Sequence, residues 1–449
     1  MVHQKFSAVT SWAAAAMLMG SVGVAQATEG YFQHGYGARN KALAGSGVAD
    51  SRNASAVAVN PAGLVHVDDQ FNAAMSIFSP RREFKGSAAS VGFTPPGTVE
   101  SQWNWFYIPN MARSWRVDNP YFDVFAVSMY GNGGMNTHFP EFARPDGGCA
   151  GAGGGTGIFC RGLLGVNLTQ AFMSAAVAKK FGKVSVGIAP IFAVQQIEIH
   201  GLGAFRGIST DPAHLTNQGL DTSWGGGVRG GVEVAVTPNV RVGIAGNSRI
   251  YMTEFDEYRG LFAEQGDFDI PPSLQVGLAV DAKPNLTFMA DYKHIWYSSV
   301  NAIGNSSTIA SQAPFNPALR LGADGGVGFG WQDIGIFKFG VEWRPNDTWT
   351  WRAGYAHSEN PIKSKDVMFN ILAPGIIEDE FTAGVKYKWS DKIDLELSGM
   401  YAPENTVNGF ELATVAVPTH AIEVSMYQFE ITAGVTWKFG ATSAPAALK

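Results

Sequence analysis

One stretch near the end of the sequence alternates between apolar and polar side chains almost without error. In 427–439 every odd-numbered residue is apolar and every even-numbered residue is polar or glycine. Successive side chains of a β-strand point to opposite faces, so this stretch predicts a strand with one apolar and one polar face. Its apolar face carries Tyr427, Phe429, Trp437 and Phe439. Aromatic residues on the apolar face are typical of a lipid-facing strand in a transmembrane barrel.

The start of the sequence indicates export. Lys5 precedes an apolar run from about Ala8 to Val24, and Ala25-Gln26-Ala27 has the small-x-small pattern of a signal cleavage site. We therefore expect residues 1–27 to be a signal peptide and Thr28 to begin the mature chain. An uncleaved N-terminal anchor is the alternative, but the apolar run is short for one.

Composition agrees with a barrel and argues against two other classes. Charged residues make up 16% of the chain and aromatic residues 12%, whereas roughly 25% of a soluble domain is charged. Beyond the N-terminus there is no run of about 18 apolar residues, which excludes a helical membrane span. Without Lys5 the chain has 31 basic and 38 acidic residues, a net charge of −7, so nucleic acid is not expected as a partner.

The alternating pattern recurs along the chain between turn residues. Gly182-Lys183, Pro238-Asn239 and Pro284-Asn285 are among the turns, which contain residues that tight turns require. Fourteen strands are predicted: 70–78, 103–114, 121–130, 170–181, 184–199, 223–236, 240–251, 273–281, 286–297, 337–344, 349–358, 380–389, 393–401 and 427–439. Tight turns alternate with long loops at about 80–101, 131–169, 200–222, 252–271, 298–336, 359–379 and 402–426. An even strand number with short and long connections in turn predicts an all-β fold, a 14-stranded antiparallel transmembrane β-barrel.

The two cysteines of the chain, Cys149 and Cys160, lie in a glycine-rich stretch. In an exported protein such a pair predicts a disulfide that staples a surface loop. Neither cysteine has a second Cys or a His at ligand spacing, so no metal site is expected. No cofactor is expected either.

The segment before the first strand does not alternate. Residues 28–66 are rich in glycine and alanine and end near Asn60-Pro61-Ala62, where Pro61 cannot donate to a strand ladder. We interpret 28–66 as a hatch, or plug, packed inside the lumen of a barrel formed by 67–439. Residues 440–449 follow the last aromatic residue as a C-terminal tail.

Two motifs carry a resemblance to a known family. The first is Gly37-Ala38-Arg39 followed by Ala49-Asp50 and Asn60-Pro61-Ala62; the second is 258–264 leading into Phe268-Asp269-Ile270-Pro271. Both are similar to the FadL-like family, the outer-membrane transporters of long-chain fatty acids and aromatic hydrocarbons. With fourteen strands, the resemblance spans essentially the whole mature chain.

The resemblance implies passive uptake of a hydrophobic small molecule, captured by external loops and released sideways through the wall behind a hatch. Arg39, Asn60, Pro61 and Ala62 would belong to the hatch. The capture candidates are apolar loop residues that we expect to be exposed: Leu202, Phe205, Ile208, Tyr258, Leu261, Phe262 and Phe268. The alternative is that these residues pack against one another.

The candidate lateral gap lies where the third predicted strand runs into glycines, at Tyr130, Gly131, Gly133 and Gly134. Glycines at a strand end favour a bulge or a break. An ordinary glycine-rich loop start fits the same residues.

Most charged side chains of the lumen are expected to pair across strands, but a spare Arg or Lys, including Arg39, is a candidate partner for a ligand carboxylate. The sequence leaves open whether the ligand is a fatty acid or a neutral hydrocarbon. We expect a monomer in the outer membrane of a Gram-negative cell. Its further partners would be outer-membrane lipid, lipopolysaccharide and the barrel assembly machinery.

Three alternative functions are a general diffusion porin, a structural or adhesive barrel, and an enzyme. A general diffusion porin would need an open lumen, which the hatch-like segment disfavours, and a structural or adhesive barrel remains open. An enzyme is not expected, because Asp291 and His294 fall on opposite faces of one strand and no nucleophile motif is present.

Overall fold

The computed structural model describes residues 28–87, 93–144, 149–150, 155–411 and 420–439. The predicted signal peptide and C-terminal tail therefore lie outside the described residues. The strands are β1 (Gln70–Gly86), β2 (Gly97–Glu100), β3 (Phe106–Arg116), β4 (Val124–Phe139), β5 (Leu164–Phe181), β6 (Val184–His200), β7 (Asp221–Thr237), β8 (Val240–Asn247), β9 (Tyr251–Met252), β10 (Ser273–Lys283), β11 (Leu286–Ile295), β12 (Ile334–Trp343), β13 (Trp349–Ser358), β14 (Asp379–Lys388), β15 (Ile393–Phe410) and β16 (Ala421–Lys438).

Fourteen of these strands form a closed antiparallel barrel. Each wall strand pairs with its neighbours in chain order, and β16 pairs with β1 from Gln70↔Lys438 to Gly86↔Ile422, which closes the ring. The two short strands lie outside this ring order: β2 pairs with the end of β1, and β9 pairs with β7. The predicted 14-stranded barrel is confirmed, and each predicted strand overlaps one wall strand.

Several strands are longer than the alternation predicts. β1 continues to Gly86, β4 to Phe139 and β15 to Phe410, while β16 already begins at Ala421. Parts of the predicted loops 80–101, 131–169 and 402–426 are therefore strand. Near these ends the alternation no longer holds: on β1 the buried Phe84 points inward, while the neighbouring outward side chains Glu83 and Lys85 are charged. The ladder therefore continues where the apolar–polar pattern does not predict a lipid-facing strand.

The two faces of the wall differ as the alternation predicts. On β12, Phe337 is 54% exposed and the neighbouring Lys338 only 1%; on β16, Ile431 is 57% exposed and Glu430 3%. Exposed tryptophans cluster near the tight turns at Trp343, Trp349, Trp389 and Trp437. Their position is that of an aromatic girdle at a membrane interface.

Short helices occupy the connections and the N-terminal segment. The α-helical turns are Gly37–Lys41, Ala56–Val59, Ala263–Gly266 and Asn301–Gly304. The 3-10 helices are Pro61–His66, Gly203–Ile208, Pro212–His214, Asp256–Tyr258, Tyr297–Ser299, Ser307–Ser311, Pro317–Leu319, Ser364–Asp366 and Phe369–Ile371. None of the helices in the described ranges is long and apolar enough to cross a bilayer.

The N-terminal segment is buried and touches opposite sides of the ring. The helix Gly37–Lys41 contacts β1, β14, β15 and β16, whereas the 3-10 helix Pro61–His66 contacts β4, β5, β6 and β7. Nearly every residue of 28–67 is buried. These contacts set up the site described next.

Candidate functional site

Ion pairs join the N-terminal segment to strands that are far away in sequence. Glu29 pairs with Lys293 on β11 and with Lys338 on β12. On the other side, the Lys41 ammonium lies 2.7 Å from Glu430 on β16. All five side chains are buried, so each charge depends on its partner, because an unpaired charge in this environment is costly.

A second ionic cluster centres on Asp50. Its carboxylate receives Arg39 at 2.5 Å, Arg52 at 2.9 Å and Arg241 of β8 at 2.7 Å. Arg39 also reaches Glu342 of β12 at 2.9 Å. The sequence-based expectation that Arg39 is a spare cation is therefore wrong: two carboxylates already hold it.

The Asn60-Pro61-Ala62 motif lies directly against the wall. The Asn60 side chain accepts a hydrogen bond from the Ala62 amide at 3.0 Å and donates one to the Val48 carbonyl at 2.7 Å. Glycines on the facing strands allow this approach. A Cβ at Gly187 of β6 would lie 2.4 Å from the Pro61 carbonyl carbon, and one at Gly231 of β7 would lie 2.0 Å from Asn60 Oδ1.

The capture candidates lie in one buried cluster. Leu202, Phe205, Leu261 and Phe262 are 8% exposed or less, Tyr258 and Phe268 are fully buried, and Ile208 packs against the same cluster. The expectation of exposed apolar side chains is wrong for these residues. They pack with one another because the loops fold over the barrel, which matches the alternative reading of the sequence.

Polar contacts lock the loops 200–222 and 252–271 together. Ser209 donates to the Gly260 carbonyl at 2.6 Å, and Arg259 pairs with Asp211 at 2.9 Å. Burial raises the pKa of Tyr258 to about 12. Its protonated hydroxyl donates to the Gly219 carbonyl at 2.6 Å and accepts from the Ile199 amide at 2.9 Å.

Two acidic side chains of the fourth long connection share one cation. Arg249 lies 3.3 Å from Asp267 and 2.6 Å from Asp269. Burial, and then the neighbouring charge of Asp269, raise the pKa of Asp267 to about 7. Asp267 therefore changes its protonation near neutral pH.

An aromatic cluster connects these loops to the N-terminal segment. Tyr31 contacts Phe32, Phe268, Tyr297 and Trp331, with ring centroids 5.1 to 6.3 Å apart. Phe268 in turn contacts Phe262 of the loop cluster at 4.8 Å. Apolar surface thus runs from the loop 252–271 to the first described residues of the segment.

The wall is interrupted between β3 and β4. Their ladder ends at Asn110↔Tyr130, although β4 continues to Phe139 on β5. The β4–β5 register shifts between Gly131 and Gly133. Further along β4, the two sides meet again where the Gln102 amide donates to the His138 carbonyl at 2.8 Å. We call the interval of unpaired edges between these two limits the β3–β4 window.

The N-terminal segment bonds to the β4 edge of this window. The Gln33 amide donates to Asn132 O, and the Gly134 amide donates to Tyr31 O, both at 3.1 Å. The Gln33 side chain donates to Gly131 O at 2.5 Å. The edge that β3 leaves unpaired is thus partly covered by the segment itself.

Beside the segment, Arg229 of β7 lines a small cavity with Tyr36, Asn247, Lys293 and Lys338. Its guanidinium lies over the Tyr36 ring at 5.8 Å and donates to Asn247 at 3.3 Å. Arg229 makes no ion pair with any described residue, and its Nε–H has no hydrogen-bond partner. Glu233 of the same strand pairs with His66 at 3.0 Å.

Sequence reasoning missed Glu29, Lys41 and Gln33. Lys338 and Glu430 were recognisable as inward charges by their alternation, but nothing local indicates their partners, which lie hundreds of residues away. Pro109 was a usable signal. It has no amide hydrogen and immediately precedes Asn110, where the β3–β4 ladder ends.

The two cysteines form a disulfide between Cys149 and Cys160. Part of the loop that they close lies outside the described residues. The disulfide belongs to the long connection between β4 and β5.

Comparisons with known proteins agree with this architecture. The family model for outer membrane protein transport proteins (OMPP1/FadL/TodX) matches residues 24–441. A search of curated proteins finds no match. Among solved structures, the P. putida toluene transporter TodX aligns with a TM-score of 0.65 at 15% identity, over 91% of this chain and 99% of that one.

Two further structures are similar. A Pseudomonas aeruginosa FadL homologue aligns with a TM-score of 0.64 at 14% identity, covering 91% of this chain and all of that one (100%). The Ralstonia pickettii toluene transporter TbuX aligns with a TM-score of 0.57 at 15% identity, over 91% and 99% of the two chains. At such identities the structural likeness supports the fold, whereas the family model matches nearly the whole sequence. The chain belongs to the OMPP1/FadL/TodX family of outer-membrane transport proteins.

Proposed function

We propose that this protein carries hydrophobic small molecules passively across the outer membrane, either long-chain fatty acids or aromatic and aliphatic hydrocarbons. The observation that supports this most directly is the β3–β4 window with the N-terminal segment bonded to its edge. A window in the wall leads into lipid rather than into water, which suits an apolar cargo. In keeping with this, related structures include transporters of toluene and a FadL homologue.

The route begins at the external loops. Leu202, Phe205 and Phe262 are buried in the loop cluster, so capture requires the loops 200–222 and 252–271 to part. The apolar side chains of these loops would then contact the ligand instead of one another, so little apolar burial would be lost. The aromatic cluster around Tyr31 continues this apolar surface inwards.

Next comes the hatch, which we assign to residues 28–66. Arg39 and Asp50 fix its middle, Asn60-Pro61-Ala62 fixes its end against β6 and β7, and Tyr31 to Gln33 cover the β4 edge. Release of Tyr31–Gln33 from the edge would expose the window between Tyr130 and Gly134. The ligand would then leave sideways into the bilayer.

A general diffusion porin is the main competing function. A porin would require a water-filled path past residues 28–66. These residues contact strands on both sides of the ring and are almost all buried. A structural or adhesive barrel has no need of a window.

Transport and leak are measured separately. Gram-negative cells that lack their own fatty-acid transporter should take up radiolabelled palmitate or toluene when they express this protein, and the purified protein should show low conductance in planar bilayers. Gly230 of β7 has open space around it, so Gly230→Ala serves as an inert control for handling and expression. High steady conductance would indicate a porin. If cells that express the protein take up neither palmitate nor toluene, the proposal is refuted.

A further inference from the structure

The buried arginines fall into two groups. Among the described residues Arg39, Arg82, Arg229, Arg241 and Arg352 are buried. Arg39, Arg241 and Arg352 each pair with carboxylates. By contrast, Arg82 and Arg229 pair with no carboxylate in the described parts of the chain, and each has an Nε–H without a hydrogen-bond partner. Burying a guanidinium without a counter-charge is costly, so these two side chains point to an anion that binds from outside.

Arg82 lies at the upper rim of the β3–β4 window, apart from the cavity of Arg229. It belongs to β1 and is 5% exposed. Its guanidinium donates to the Trp103 carbonyl and lies over the Phe106 ring at 5.7 Å. The backbone amide of Ser101 donates to the Arg82 carbonyl at 2.9 Å. The next amide, that of Gln102, donates to His138 of β4 and so closes the window. Arg82 is an inward position of β1, so the charged group faces the lumen at the limit of the window where Gln102 bonds to His138.

The surroundings of Arg82 suit an amphipathic ligand. Buried apolar side chains line the same side of the wall: Phe78, Phe84, Phe106, Ile108 and Phe139. A guanidinium beside an apolar surface can bind a carboxylate head while the surface binds its hydrocarbon tail. Charge-assisted hydrogen bonds from a guanidinium to a carboxylate are among the strong ones.

We propose that Arg82 forms a carboxylate-binding site at the lateral window and holds the head group of an amphipathic carboxylic acid before it leaves the barrel. This rests on the proposed transport function and narrows its substrate class to acids with an alkyl or aryl tail. The ligand carboxylate supplies the counter-charge that Arg82 lacks. Arg82 in turn orients the ligand, with the head at the rim and the tail along Phe106 and Ile108. A neutral hydrocarbon would gain nothing from this side chain.

The test compares acidic and neutral probes in two matched variants. Arg82→Gln removes the inward charge, whereas Arg81→Gln removes a charge from the adjacent residue, which lies on the outer face against Trp105 and Phe429. We expect R82Q to lower palmitate uptake by cells roughly ten- to hundredfold, the loss expected for one charge-assisted hydrogen bond. Toluene uptake by R82Q, and both uptakes by R81Q, should stay within about twofold of the wild type.

Arg82→Lys keeps the charge and should recover part of the palmitate uptake, and heat-modifiable gel migration shows that each variant has folded. The inference is overturned if R82Q lowers both probes equally, if R82Q and R81Q behave alike, or if the wild type carries toluene but no palmitate. In that last case the proposed function still stands. If the wild type carries neither probe, the proposed function itself fails.

Discussion

The backbone amide of Gly134 donates a hydrogen bond to the carbonyl oxygen of Tyr31 at 3.1 Å, so the first described residues of the chain bond to the strand edge that β3 leaves free. The next residue, Phe32, forms an isolated antiparallel β-bridge with Gly133. Unpaired strand edges readily take up another segment. Here the segment comes from the same chain, about a hundred residues earlier in the sequence.

The first prediction concerns this contact. A Cβ at Gly133 would lie 2.2 Å from the Tyr31 carbonyl oxygen, so Gly133→Ala should separate the segment from the β4 edge. We expect hydrogen exchange at the amides of Gln33 and Gly134 to become at least about tenfold faster, a loss of about 1.4 kcal/mol. Gly230→Ala, which has open space around its Cβ, should leave both amides unchanged. Equal protection in G133A would contradict the assigned contact.

The second prediction concerns the cluster around Asp50. Asp50→Asn leaves Arg39, Arg52 and Arg241 without their shared carboxylate. Loss of one partner of a buried ion pair costs about 3–5 kcal/mol, so we expect the N-terminal segment to loosen and conductance in planar bilayers to rise. Asp68→Asn removes a carboxylate that is 59% exposed from its pair with Arg116 and should change stability by less than about 1 kcal/mol. A tight, low-conductance D50N channel would argue against a plug held by Asp50.

A third prediction concerns the loop cluster. Tyr258→Phe removes hydrogen bonds to Gly219 and Ile199 and should destabilise the loop packing by about 1–3 kcal/mol. We expect faster limited proteolysis within 200–222 and 252–271. Tyr251 is 68% exposed, so Tyr251→Phe is the matched control. If Y258F resists protease as well as Y251F does, the hydroxyl does not hold the loops together.

The fourth prediction is a pH dependence in the connection after β9. Because the pKa of Asp267 is raised to about 7 in the folded state, folding favours the protonated form. The stability of this loop should therefore fall as pH rises from about 4, the usual Asp value, through 7. Asp267→Asn mimics the protonated form, so it should increase protection of the loop from hydrogen exchange at pH 8 and change little at pH 5. A wild-type loop with equal protection at both values would contradict this.

Much of the wall could be predicted because its physics is local. Each residue of 427–439 faces either lipid or lumen, so the alternation specifies strand and face directly. The requirement that both apolar faces point outward also restricts the pairing of β16 with β1 to registers that differ by an even number of residues. Local rules failed at the long-loop end of β1, where charged outward side chains such as Glu83 and Lys85 end the alternation. They also failed in the loops, where Phe205 and Phe262 could equally have faced water.

The sequence by itself determined the barrel, its strand number and the outward face of each strand, because side-chain alternation and turn residues act within a few positions. Only the tertiary structure decided which charges are partners. Glu29 meets Lys338, Lys41 meets Glu430 and Arg39 meets Glu342 because the closed ring brings together residues that are far apart in sequence. The same closure left Arg82 and Arg229 without a carboxylate among the described residues. An ion pair depends on a few ångströms in space, and no spacing along the chain encodes that distance.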